Sequence, residues 1–294
     1  MTVLVTGASG GFGSVFLPLL RARYHEPVIG TGRSNKFFDN YIKCDFSDGV
    51  AIRSLIKSIR PNFIFHLAGS FTGEFECDLK INALSARYIF ESIISENLKT
   101  RVVIFGSAAE YGAVLPSDNP IPESFLGQPV SVYGQTKAFQ TDLARYYART
   151  KNVDVVVARV FNLATPGLSP RLFHGRAESM ILSYKRGEIQ RLEFGNLEAE
   201  RDYIALDKAV AQILAIAEHG ITGEIYNVGS GFPQKIRSIL MGMLIKEGVP
   251  DVDVVESKLE VIKEKGFDVP VIYADMAKTL RLMDLSVNLQ HSFK

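Results

Sequence analysis

A glycine-rich turn near the N-terminus limits the possible folds of this chain more than any other stretch. An apolar run, Val3-Leu4-Val5, leads into three glycines with the spacing G-x-x-G-x-x-G, and an amphipathic stretch follows. Between a strand and a helix, such glycines permit a tight turn, let backbone N–H groups approach a pyrophosphate, and let the helix pack closely on the strand. The alternative is an ordinary glycine-rich turn, but this context favours a dinucleotide site. The predicted cofactor-binding residues of the turn are Gly7, Gly10, Gly11, Phe12 and Gly13.

Short apolar runs alternate with longer amphipathic stretches through the first half of the chain. We predict strands at Thr2–Thr6, Pro27–Thr31, Tyr41–Cys44, Phe63–Leu67, Arg101–Ser107 and Asp154–Arg159. We predict helices at Gly13–Arg23, Asp48–Ile59, Lys80–Glu96 and Ser131–Thr150. Several of the strands are apolar throughout, which is typical of strands buried on both faces of a parallel sheet. The βαβα order therefore predicts an α/β fold with a doubly wound parallel sheet.

The pattern becomes less regular after Phe161. Residues Asn162–Arg176 are rich in Pro, Gly, Ser and Arg, which predicts a loop. Beyond it we predict helices at Ala177–Lys185, Asp207–Glu218 and Ile236–Glu247, and strands at Gln190–Phe194, Glu224–Val228 and Val252–Val255. We therefore divide the chain into residues 1–161, an NAD(P)-binding domain, and residues 162–294, mainly a smaller α/β substrate-binding part. The two parts are interleaved, because the segment at about 204–228 is expected to return to the main sheet.

The composition argues against several classes of protein. Lys and Arg total 33 against 32 for Asp and Glu, so the net charge of +1 gives no reason to expect a nucleic-acid or membrane partner. No apolar run approaches the roughly 18 residues of a membrane span, and no basic segment precedes Val3 to form a signal peptide. Two cysteines, Cys44 and Cys77, are too few for a disulfide framework and fit a reducing compartment. We expect a cytoplasmic protein without a metal site.

The end of the second predicted strand indicates which dinucleotide is bound. An NAD site usually has an acidic residue there, facing the ribose 2′-hydroxyl, whereas this chain has Arg33, Ser34 and Asn35. A guanidinium and small polar groups suit a 2′-phosphate, so NADP is favoured over NAD. Arg33 could instead stack on the adenine or face solvent. Asp45, with Phe46 beside it in the predicted cofactor site, is placed to accept from the adenine amino group or to cap the next helix.

Tyr133 and Lys137 are four residues apart in a predicted helix, so the phenol and the ammonium lie on one face. A phenol normally loses its proton near pH ~10, and a fixed positive neighbour is expected to lower that pKa. Such a tyrosine could serve in general acid–base catalysis near neutral pH. The same spacing is common on solvated helices, so this interpretation depends on other motifs.

Together these motifs resemble the extended short-chain dehydrogenases/reductases, the family of nucleotide-sugar epimerases, dehydratases and reductases. The resemblance is carried, in the family's order, by the glycine turn, His66-Leu67-Ala68-Gly69, Ser107, Tyr133-x-x-x-Lys137, Arg159-Val160-Phe161-Asn162 and Arg201-Asp202-Tyr203. It covers nearly the whole chain to about residue 240. It implies a Rossmann-type fold in which Tyr133 and Lys137 belong to a catalytic site.

The resemblance also implies roles for individual residues. Tyr133 gives or takes the proton at the reacting carbon–oxygen centre, and Ser107 hydrogen-bonds the same substrate oxygen. Lys137 holds the nicotinamide ribose and lowers the pKa of Tyr133. Asn162 corresponds to the family's substrate-binding asparagine.

The residues after the fourth predicted strand are also placed by the resemblance. Leu67, Ala68 and Gly69 are expected along the phosphate and ribose of the cofactor. We interpret His66 as a structural residue, because a single histidine at a strand end is usually a packing or hydrogen-bonding residue.

The residues after Ser107 bear on the type of reaction. The family's 4,6-dehydratases have an acidic residue one or two positions after this serine or threonine, whereas this chain has Ala108 and Ala109. Glu110 is one place too late and is expected to face elsewhere. An alanine cannot transfer a proton, so dehydration is disfavoured. Ketone reduction and epimerisation are the reactions left.

The segment Gly195–Tyr203 is similar to one in GDP-mannose 4,6-dehydratases and GDP-4-keto-6-deoxy-D-mannose reductases, where an arginine binds the nucleotide diphosphate. Arg201 is suited to this by its bidentate guanidinium, although a salt bridge with Asp202 or Glu198 is the alternative. Arg171 is a further candidate for substrate binding. The resemblance implies NADP-dependent reduction of a 4-keto-6-deoxy nucleotide sugar, with GDP favoured. The alternatives are a nucleotide-sugar 4-epimerase with tightly held cofactor, and a binding protein without turnover.

Two predicted helices bear on the oligomeric state. Lys80–Glu96 and Ser131–Thr150 correspond to the helices that pair two subunits in many members of the family. Their apolar faces could form a four-helix interface or be buried within one subunit. By analogy alone, we expect a homodimer.

Overall fold

The computed structural model describes residues 1–34, 39–256 and 269–292 of the chain. Asn35, which the sequence placed in the cofactor site, lies outside these residues. Among the helices in the described ranges, none has the length and apolarity that would let it cross a membrane.

Strands and helices alternate through most of the chain and are numbered in chain order. The strands are β1 (Val3–Thr6), β2 (Val28–Gly32), β3 (Tyr41–Lys43), β4 (Phe63–His66), β5 (Arg101–Ser107), β6 (Val155–Val160), β7 (Asn162–Ala164), β8 (Leu192–Phe194), β9 (Glu200–Ala205), β10 (Ile225–Val228), β11 (Pro233–Lys235), β12 (Val254–Glu256) and β13 (Val271–Ile272). The helices are α1 (Gly11–Arg23), α2 (Gly49–Ile59), α3 (Phe75–Leu79), α4 (Ser85–Ser95), α5 (Val132–Lys151), α6 (Phe173–Lys185), α7 (Leu206–His219), α8 (Ile236–Lys246) and α9 (Ala277–Ser292). A π-helical turn, Lys80–Leu84, joins α3 to α4, and a 3₁₀ turn at Ala108–Glu110 follows β5.

The main sheet has seven strands in the order β10-β6-β5-β4-β1-β2-β3. Every neighbouring pair is parallel. The order reverses around β1, because β2 and β3 continue to one side while β4, β5 and β6 continue to the other. This is the predicted doubly wound α/β sheet of the Rossmann type, and the predicted fold class is confirmed.

Apolar side chains cover both faces of this sheet. On one face Phe16 of α1 and Ile213 of α7 pack in one buried cluster. On the other face Ile56 of α2 and Phe90 of α4 pack in a second cluster. All four side chains are completely buried, and each contributes about 1.5–3 kcal/mol to stability by leaving water. The strands are therefore covered on both sides, which explains why most of their residues are apolar.

A smaller set of strands follows the main sheet, centred on β9. That strand pairs in parallel with β7 and β13 and antiparallel with β11. Nearby, β8 pairs with β12, and α6 and α8 pack on them through a separate buried cluster that includes Ile181, Phe194 and Leu244. The chain returns to the main sheet between these elements, since β10 pairs with β6.

The stretch predicted as a loop at Asn162–Arg176 is partly ordered into strand and helix, so that prediction is wrong in part. Residues Asn162–Ala164 form β7 because their backbone pairs with Tyr203–Ala205 of β9. Helix α6 begins at Phe173 rather than Ala177. The partner strand lies far along the chain, so local composition carried no signal of the pairing.

Other elements were not predicted or have different limits. The strands β9, β11 and β13 and the helix α9 were not predicted from the sequence. The helix predicted at Lys80–Glu96 starts earlier, at Phe75, and contains the π-helical turn. The short strands lack the period of two that marks a half-buried strand, and their pairing is decided by distant partners.

Candidate active site

The predicted site residues gather at the carboxyl ends of four neighbouring strands. Gly7 follows β1, Leu67 follows β4, Ser107 ends β5, and Asn162 lies just beyond β6. The four strands are adjacent and parallel, so their carboxyl ends meet at one edge of the sheet. Ligands of doubly wound sheets bind at this edge, near the point where the strand order reverses.

The glycine turn depends on close backbone approaches that a side chain would prevent. Gly7 has φ +67°, and a Cβ atom there would lie 2.7 Å from the backbone nitrogen of Ala68. A Cβ atom at Gly13 would lie 2.2 Å from the carbonyl oxygen of Gly7. One at Gly11 would lie 3.2 Å from the carbonyl oxygen of Gly167. The turn therefore brings β1, α1 and the loop after β4 into direct contact.

The N-terminus of α1 presents hydrogen-bond donors at this edge. Its N-cap is Gly10, which has no side-chain acceptor, and its first turn has no acidic residue. The first N–H groups of a helix have no partner within the helix and favour a negative group. Thr31, whose carbonyl accepts from the N–H of Ala8, adds a buried hydroxyl that has no hydrogen-bond partner within the described ranges. These features fit a dinucleotide pyrophosphate.

Phe12, the remaining predicted residue of the turn, packs inward. Its ring centroid lies 5.3 Å from that of Phe16 and 5.7 Å from that of Phe105. The side chain therefore anchors the start of α1 against the sheet, and only its backbone belongs to the row of helix N–H groups.

The residues predicted to select the dinucleotide are exposed near one another. Arg33 and Ser34 are exposed after β2, and the Ser34 carbonyl accepts a hydrogen bond of 2.9 Å from the Tyr41 hydroxyl. Asp45 is exposed after β3, and its Oδ1 accepts from the N–H and the hydroxyl of Ser47, both at 2.9 Å. These bonds, with a smaller contribution from the charge of Arg33, hold the pKa of Asp45 below its usual value.

The alternative role of Asp45 as a helix cap is wrong. The N-cap of α2 is Asp48, whose Oδ1 accepts from the N–H groups of Val50 at 2.8 Å and Ala51 at 3.3 Å. Phe46, predicted in the cofactor site, is buried in the core beneath it. Its side chain therefore supports the sheet, whereas the carboxylate of Asp45 is exposed at the edge.

Three predicted cofactor residues follow β4 in a loop fixed by a buried histidine. Leu67 is partly buried, Ala68 is buried and Gly69 is exposed. His66 is completely buried, with Nδ1 2.8 Å from the hydroxyl of Thr6 and Nε2 2.9 Å from the hydroxyl of Ser85. Burial, with the nearby charge of Lys137, lowers the pKa of His66 to about 3. The imidazole is neutral, and its contacts support the structural role expected from the sequence.

Ser107 and Tyr133 are brought together by the end of β5 and the start of α5. The side chain of Ser107 lies close enough to the Tyr133 phenol to lower its pKa by hydrogen bonding. The Ser107 hydroxyl also accepts from the N–H of Ala109 at 3.2 Å. Ser131 caps α5 by accepting from the N–H of Gly134 at 3.1 Å, which orients the first turn of the helix that carries Tyr133. Two hydroxyl groups are thus directed to one point at the sheet edge.

The protonation state of Tyr133 differs from the sequence expectation. Burial raises its pKa, and the charges of Glu110 and Asp78 raise it further, whereas the hydrogen bond from Ser107 lowers it. The phenol is therefore protonated near neutral pH. The expectation of a lowered pKa for Tyr133 is wrong in this structure, because burial raises the pKa more than the hydrogen bond lowers it.

The ammonium group of Lys137 is buried and held by the protein. It donates to the carbonyl of Phe105 and, at 2.5 Å, to Oε1 of Gln140. Burial lowers the pKa of Lys137 to about 8, although the charge of Glu110 acts in the opposite direction. The ammonium group of Lys137 can therefore lose its proton at a pH only slightly above neutral.

A segment after β4, which the sequence places beside the nicotinamide without a defined role, lies against Tyr133. The ring of Phe71 stands edge-on to that of Tyr133, with centroids 4.9 Å apart. The buried Asn82, in the π-helical turn, accepts from the N–H of Ser70 at 2.7 Å and donates to its carbonyl at 2.9 Å. Asp78 accepts from the backbone and hydroxyl of Thr72. No motif indicated these contacts, which depend on the irregular turn between α3 and α4.

The predicted substrate-binding residues lie on the elements after β6. Asn162 donates from Nδ2 to the carbonyl of Asp202 at 3.0 Å. Arg171 is exposed and donates to the carbonyl of Phe71, so the loop before α6 reaches the segment beside Tyr133. Arg201, on β9, donates to the carbonyl of Glu200 at 2.8 Å.

The two carboxylates suggested as alternative partners of Arg201 bind other groups. Asp202 accepts from the N–H groups of Ser230 at 2.7 Å and Gly231 at 2.9 Å. Glu198 pairs with Lys235 at 3.3 Å and Arg237 at 2.7 Å. These contacts stabilise the loop around β11.

The family described as "NAD dependent epimerase/dehydratase family" matches residues 3–229. The chain belongs to this family. It is an NAD(P)-dependent enzyme of the extended short-chain dehydrogenase/reductase type, as the glycine turn and the Tyr133–Lys137 pair predict.

Individual members of the family are similar at low identity. GDP-6-deoxy-D-mannose reductase of Pseudomonas aeruginosa is 27% identical over 210 residues, covering 69% of this chain and 66% of that protein. The probable UDP-arabinose 4-epimerase 3 of Arabidopsis thaliana is 25% identical over 333 residues, covering 99% of this chain and 79% of that protein. The structure of RMD from Pseudomonas aeruginosa with NADPH has a TM-score of 0.80 at 23% identity, covering 96% of this chain and 91% of that one. This last similarity establishes the shared fold.

Proposed function

We propose that this enzyme reduces a 4-keto-6-deoxy nucleotide sugar with NADPH, and that a GDP-linked sugar is favoured. The observation that carries the proposal is that the hydroxyl groups of Ser107 and Tyr133 lie together beside Ala108 and Ala109. Reduction of a ketone needs a proton donor at the carbonyl oxygen, and this pair provides one. Dehydration needs a further acid–base group, and the two alanines have no titratable side chain.

Tyr133 would donate its phenolic proton to the carbonyl oxygen as that oxygen gains negative charge. Ser107 would hydrogen-bond the same oxygen and stabilise the charge. The raised pKa of Tyr133 keeps the phenol protonated, which suits a reduction, in which the enzyme gives up a proton. A bound nicotinamide supplies the hydride to the carbonyl carbon.

The cofactor would be held by the glycine turn and the N-terminus of α1 at its pyrophosphate. Arg33 and Ser34 would contact a 2′-phosphate, and the exposed Asp45 would contact the adenine. Lys137 would direct one N–H toward the nicotinamide ribose, since its other two donors can be used by Phe105 and Gln140. These assignments favour NADPH over NADH through the guanidinium of Arg33.

The substrate would lie between the carboxyl edge of the main sheet and the strands around β9. Arg201 would bind the diphosphate, and Asn162 and Arg171 would bind the sugar or the nucleotide. The similarity to GDP-6-deoxy-D-mannose reductase supports a GDP-linked sugar. A guanidinium suits a diphosphate because it donates two parallel hydrogen bonds.

The proposal can be tested with purified protein, NADPH and GDP-4-keto-6-deoxy-D-mannose, with dTDP- and UDP-linked 4-keto-6-deoxy sugars as comparisons. We expect NADPH consumption equal to the amount of deoxyhexose formed, with the GDP-linked substrate fastest and NADH slower than NADPH. Absence of NADPH oxidation with all these ketones would contradict the proposal.

The second candidate is a nucleotide-sugar 4-epimerase. It is supported by similarity to a probable UDP-arabinose 4-epimerase along 99% of this chain. An epimerase would interconvert two sugars with tightly held cofactor and no net change in NADPH. Chromatography of the sugar products alongside absorbance at the NADPH band separates the two reactions in one experiment.

A further inference from the structure

We propose that Glu110 is a positioning residue that sets the relative placement of Ser107, Tyr133 and Lys137 from beneath the site. The proposal rests on the catalytic roles proposed for those three residues. Glu110 lies in the 3₁₀ turn after β5 and transfers no proton itself. Its side chain points into the core, so it acts through the groups that it holds.

The carboxylate of Glu110 is almost completely buried, with 2% of the residue exposed. Its Oε1 accepts from the N–H of Ser107 at 2.7 Å. Its Oε2 accepts from the hydroxyl of Thr141 at 2.8 Å and from Nη2 and Nε of Arg159 at 2.8 and 3.1 Å. All these donors bind one rigid group, so none can move without breaking a buried, charge-assisted hydrogen bond.

These donors lie on the elements that carry the catalytic groups. Ser107 ends β5, and Thr141 lies one turn after Lys137 on α5. Glu110 therefore ties the strand that carries one hydroxyl to the helix that carries Tyr133. A shift of about 1 Å in such a pair can lower a rate on the order of a hundredfold.

The backbone around Glu110 leaves no room for extra side-chain atoms. A Cβ atom at Gly106 would lie 2.6 Å from Oε1 of Glu110, and one at Gly127 would lie 2.1 Å from its carbonyl oxygen. The carboxylate is thus placed within hydrogen-bond reach of Ser107 by a glycine on the strand itself. A substitution of Gly106 therefore displaces the carboxylate of Glu110 without altering its charge.

The negative charge of Glu110 also affects the pKa values of the catalytic groups. The titratable side chains that interact electrostatically with Lys137 or Tyr133 are His66 on β4, Asp78 on α3 and Glu110 after β5, and Tyr111 and Arg159 lie beside Glu110. Glu110 raises the pKa of both Lys137 and Tyr133. His66 is neutral, and Arg159 lies 4.5 Å over the ring of Tyr111. Glu110 therefore favours the ammonium form of Lys137 and the phenol form of Tyr133.

The first variant is Glu110→Gln, which has nearly the same shape without the charge. The matched control is Glu123→Gln, because Glu123 also accepts from a backbone N–H, that of Asn227 at 2.8 Å, but binds neither Ser107 nor α5. The first measurement is an NMR titration of lysine ¹³Cε labels, with Lys137 assigned by Lys137→Arg. We expect the Lys137 titration to move to lower pH in Glu110→Gln and to be unchanged in Glu123→Gln.

Removal of Glu110 alone leaves the guanidinium of Arg159 buried without its partner, which can unfold a protein. The double variant Glu110→Gln/Arg159→Met removes both charges, and we expect a shift of Lys137 in the same direction but smaller, because loss of the nearby guanidinium partly offsets loss of the carboxylate. An unchanged Lys137 titration in the folded variants would overturn the proposal. This readout needs no sugar substrate, so it stands even if the wild-type enzyme reduces no 4-keto sugar.

Two variants test the geometry separately from the charge. Gly106→Ala displaces the carboxylate, and Thr141→Val removes its bond to α5. With an active substrate, we expect kcat to fall on the order of tenfold to a hundredfold in Gly106→Ala and less in Thr141→Val, with little change in KM. Equal loss of thermal stability with wild-type kcat in both variants would show a structural role only and overturn the proposal.

Discussion

At the scale of single residues, burial determines the chemistry of the site. The pKa of Tyr133 is raised and that of Lys137 is lowered to about 8, in each case mainly because the surrounding protein disfavours the charged form of the side chain. The sequence spacing correctly placed the two residues on one helix face. It did not indicate how deeply each side chain would be buried, and that depth decides which proton is available.

The first prediction concerns the phenol of Tyr133. Tyr133→Phe removes the proton donor and keeps the ring, so we expect kcat to fall about 10²–10⁴-fold with little change in NADPH affinity. The control is Tyr24→Phe, because the hydroxyl of Tyr24, just after α1, has no hydrogen-bond partner within the described ranges. Steady-state kinetics and fluorescence titration of NADPH measure the two effects, and wild-type turnover in Tyr133→Phe would remove this residue from the mechanism.

The second prediction concerns the charge of Lys137. Its pKa in the folded protein is about 8, below the ordinary value of 10.5, so the ammonium form is present below pH 8 and lost above it. We expect NADPH affinity to decrease as the pH rises through about 8. At a pH between these two values, Lys137 is protonated in the unfolded chain and neutral in the folded protein. The contribution of Lys137 to the free energy of unfolding therefore rises with pH in this range.

NADPH titrations between neutral and alkaline pH measure this effect. Lys151→Met, an exposed lysine at the end of the same helix, should leave the profile unchanged. Lys137→Met should bind weakly at every pH. A wild-type profile that is flat through pH 8 would be inconsistent with a role for the ammonium group.

At the scale of elements, glycines decide how closely β1, α1 and the loop after β4 approach. The π-helical turn between α3 and α4 acts in a similar way, because it places Asn82 where its amide holds the backbone of Ser70. The glycine turn has a sequence pattern that predicts its role. The π-helical turn has none, and it places Phe71 beside Tyr133.

The third prediction compares two glycines in helices. In Gly13→Ala, the new Cβ atom would lie 2.2 Å from the carbonyl oxygen of Gly7, so we expect a loss of about 1–3 kcal/mol in unfolding free energy and weaker NADPH binding. Gly242 lies in α8 with open space around it, so Gly242→Ala should stabilise the protein by up to about 1 kcal/mol. Urea denaturation and NADPH titration measure both variants, and equal stability changes would contradict the close approach.

At the scale of the whole molecule, α5 and the π-helical turn before α4 leave an apolar surface exposed. A cavity of about 370 Å³ is lined by residues such as Leu79, Leu84 and Leu143. Phe139 and Tyr146, on the same surface, are 38% and 45% exposed. Burial of such side chains in a second copy of the chain would be favourable.

The fourth prediction is a homodimer formed through this surface. Phe139→Asp would place a charge in the interface, so we expect the variant to be monomeric at concentrations where the wild-type protein is dimeric. Leu126→Asp, at a loop residue that is 85% exposed, is the control. Analytical ultracentrifugation distinguishes the two states, and a monomeric wild-type protein would exclude this interface.

Much of the fold was predictable because its signals are local. Apolar strands, amphipathic helices and the glycine turn each act within a few residues, and together they predicted the doubly wound sheet. The part after Phe161 was less predictable, because short strands such as β7 and β9 are stabilised by partners far along the chain. The loop predicted at 162–176 was wrong in part for this reason.

The sequence by itself determined which chemical groups are present and in what order. It placed the three glycines between a strand and a helix, set Tyr133 and Lys137 one turn apart, and excluded an acidic group at positions 108 and 109. These features depend on spacing and residue type, which the chain carries directly. They identified the family and the possible proton donor.

The tertiary structure alone decided how those groups are held and charged. Glu110, set aside in the sequence as one place too late, lies beneath the site because β5, β6 and α5 meet around it. Its partners Thr141 and Arg159 are far from it in sequence. The pKa values of Tyr133 and Lys137 follow from the same packing, since burial and neighbouring charges exist only after distant segments of the chain have come together.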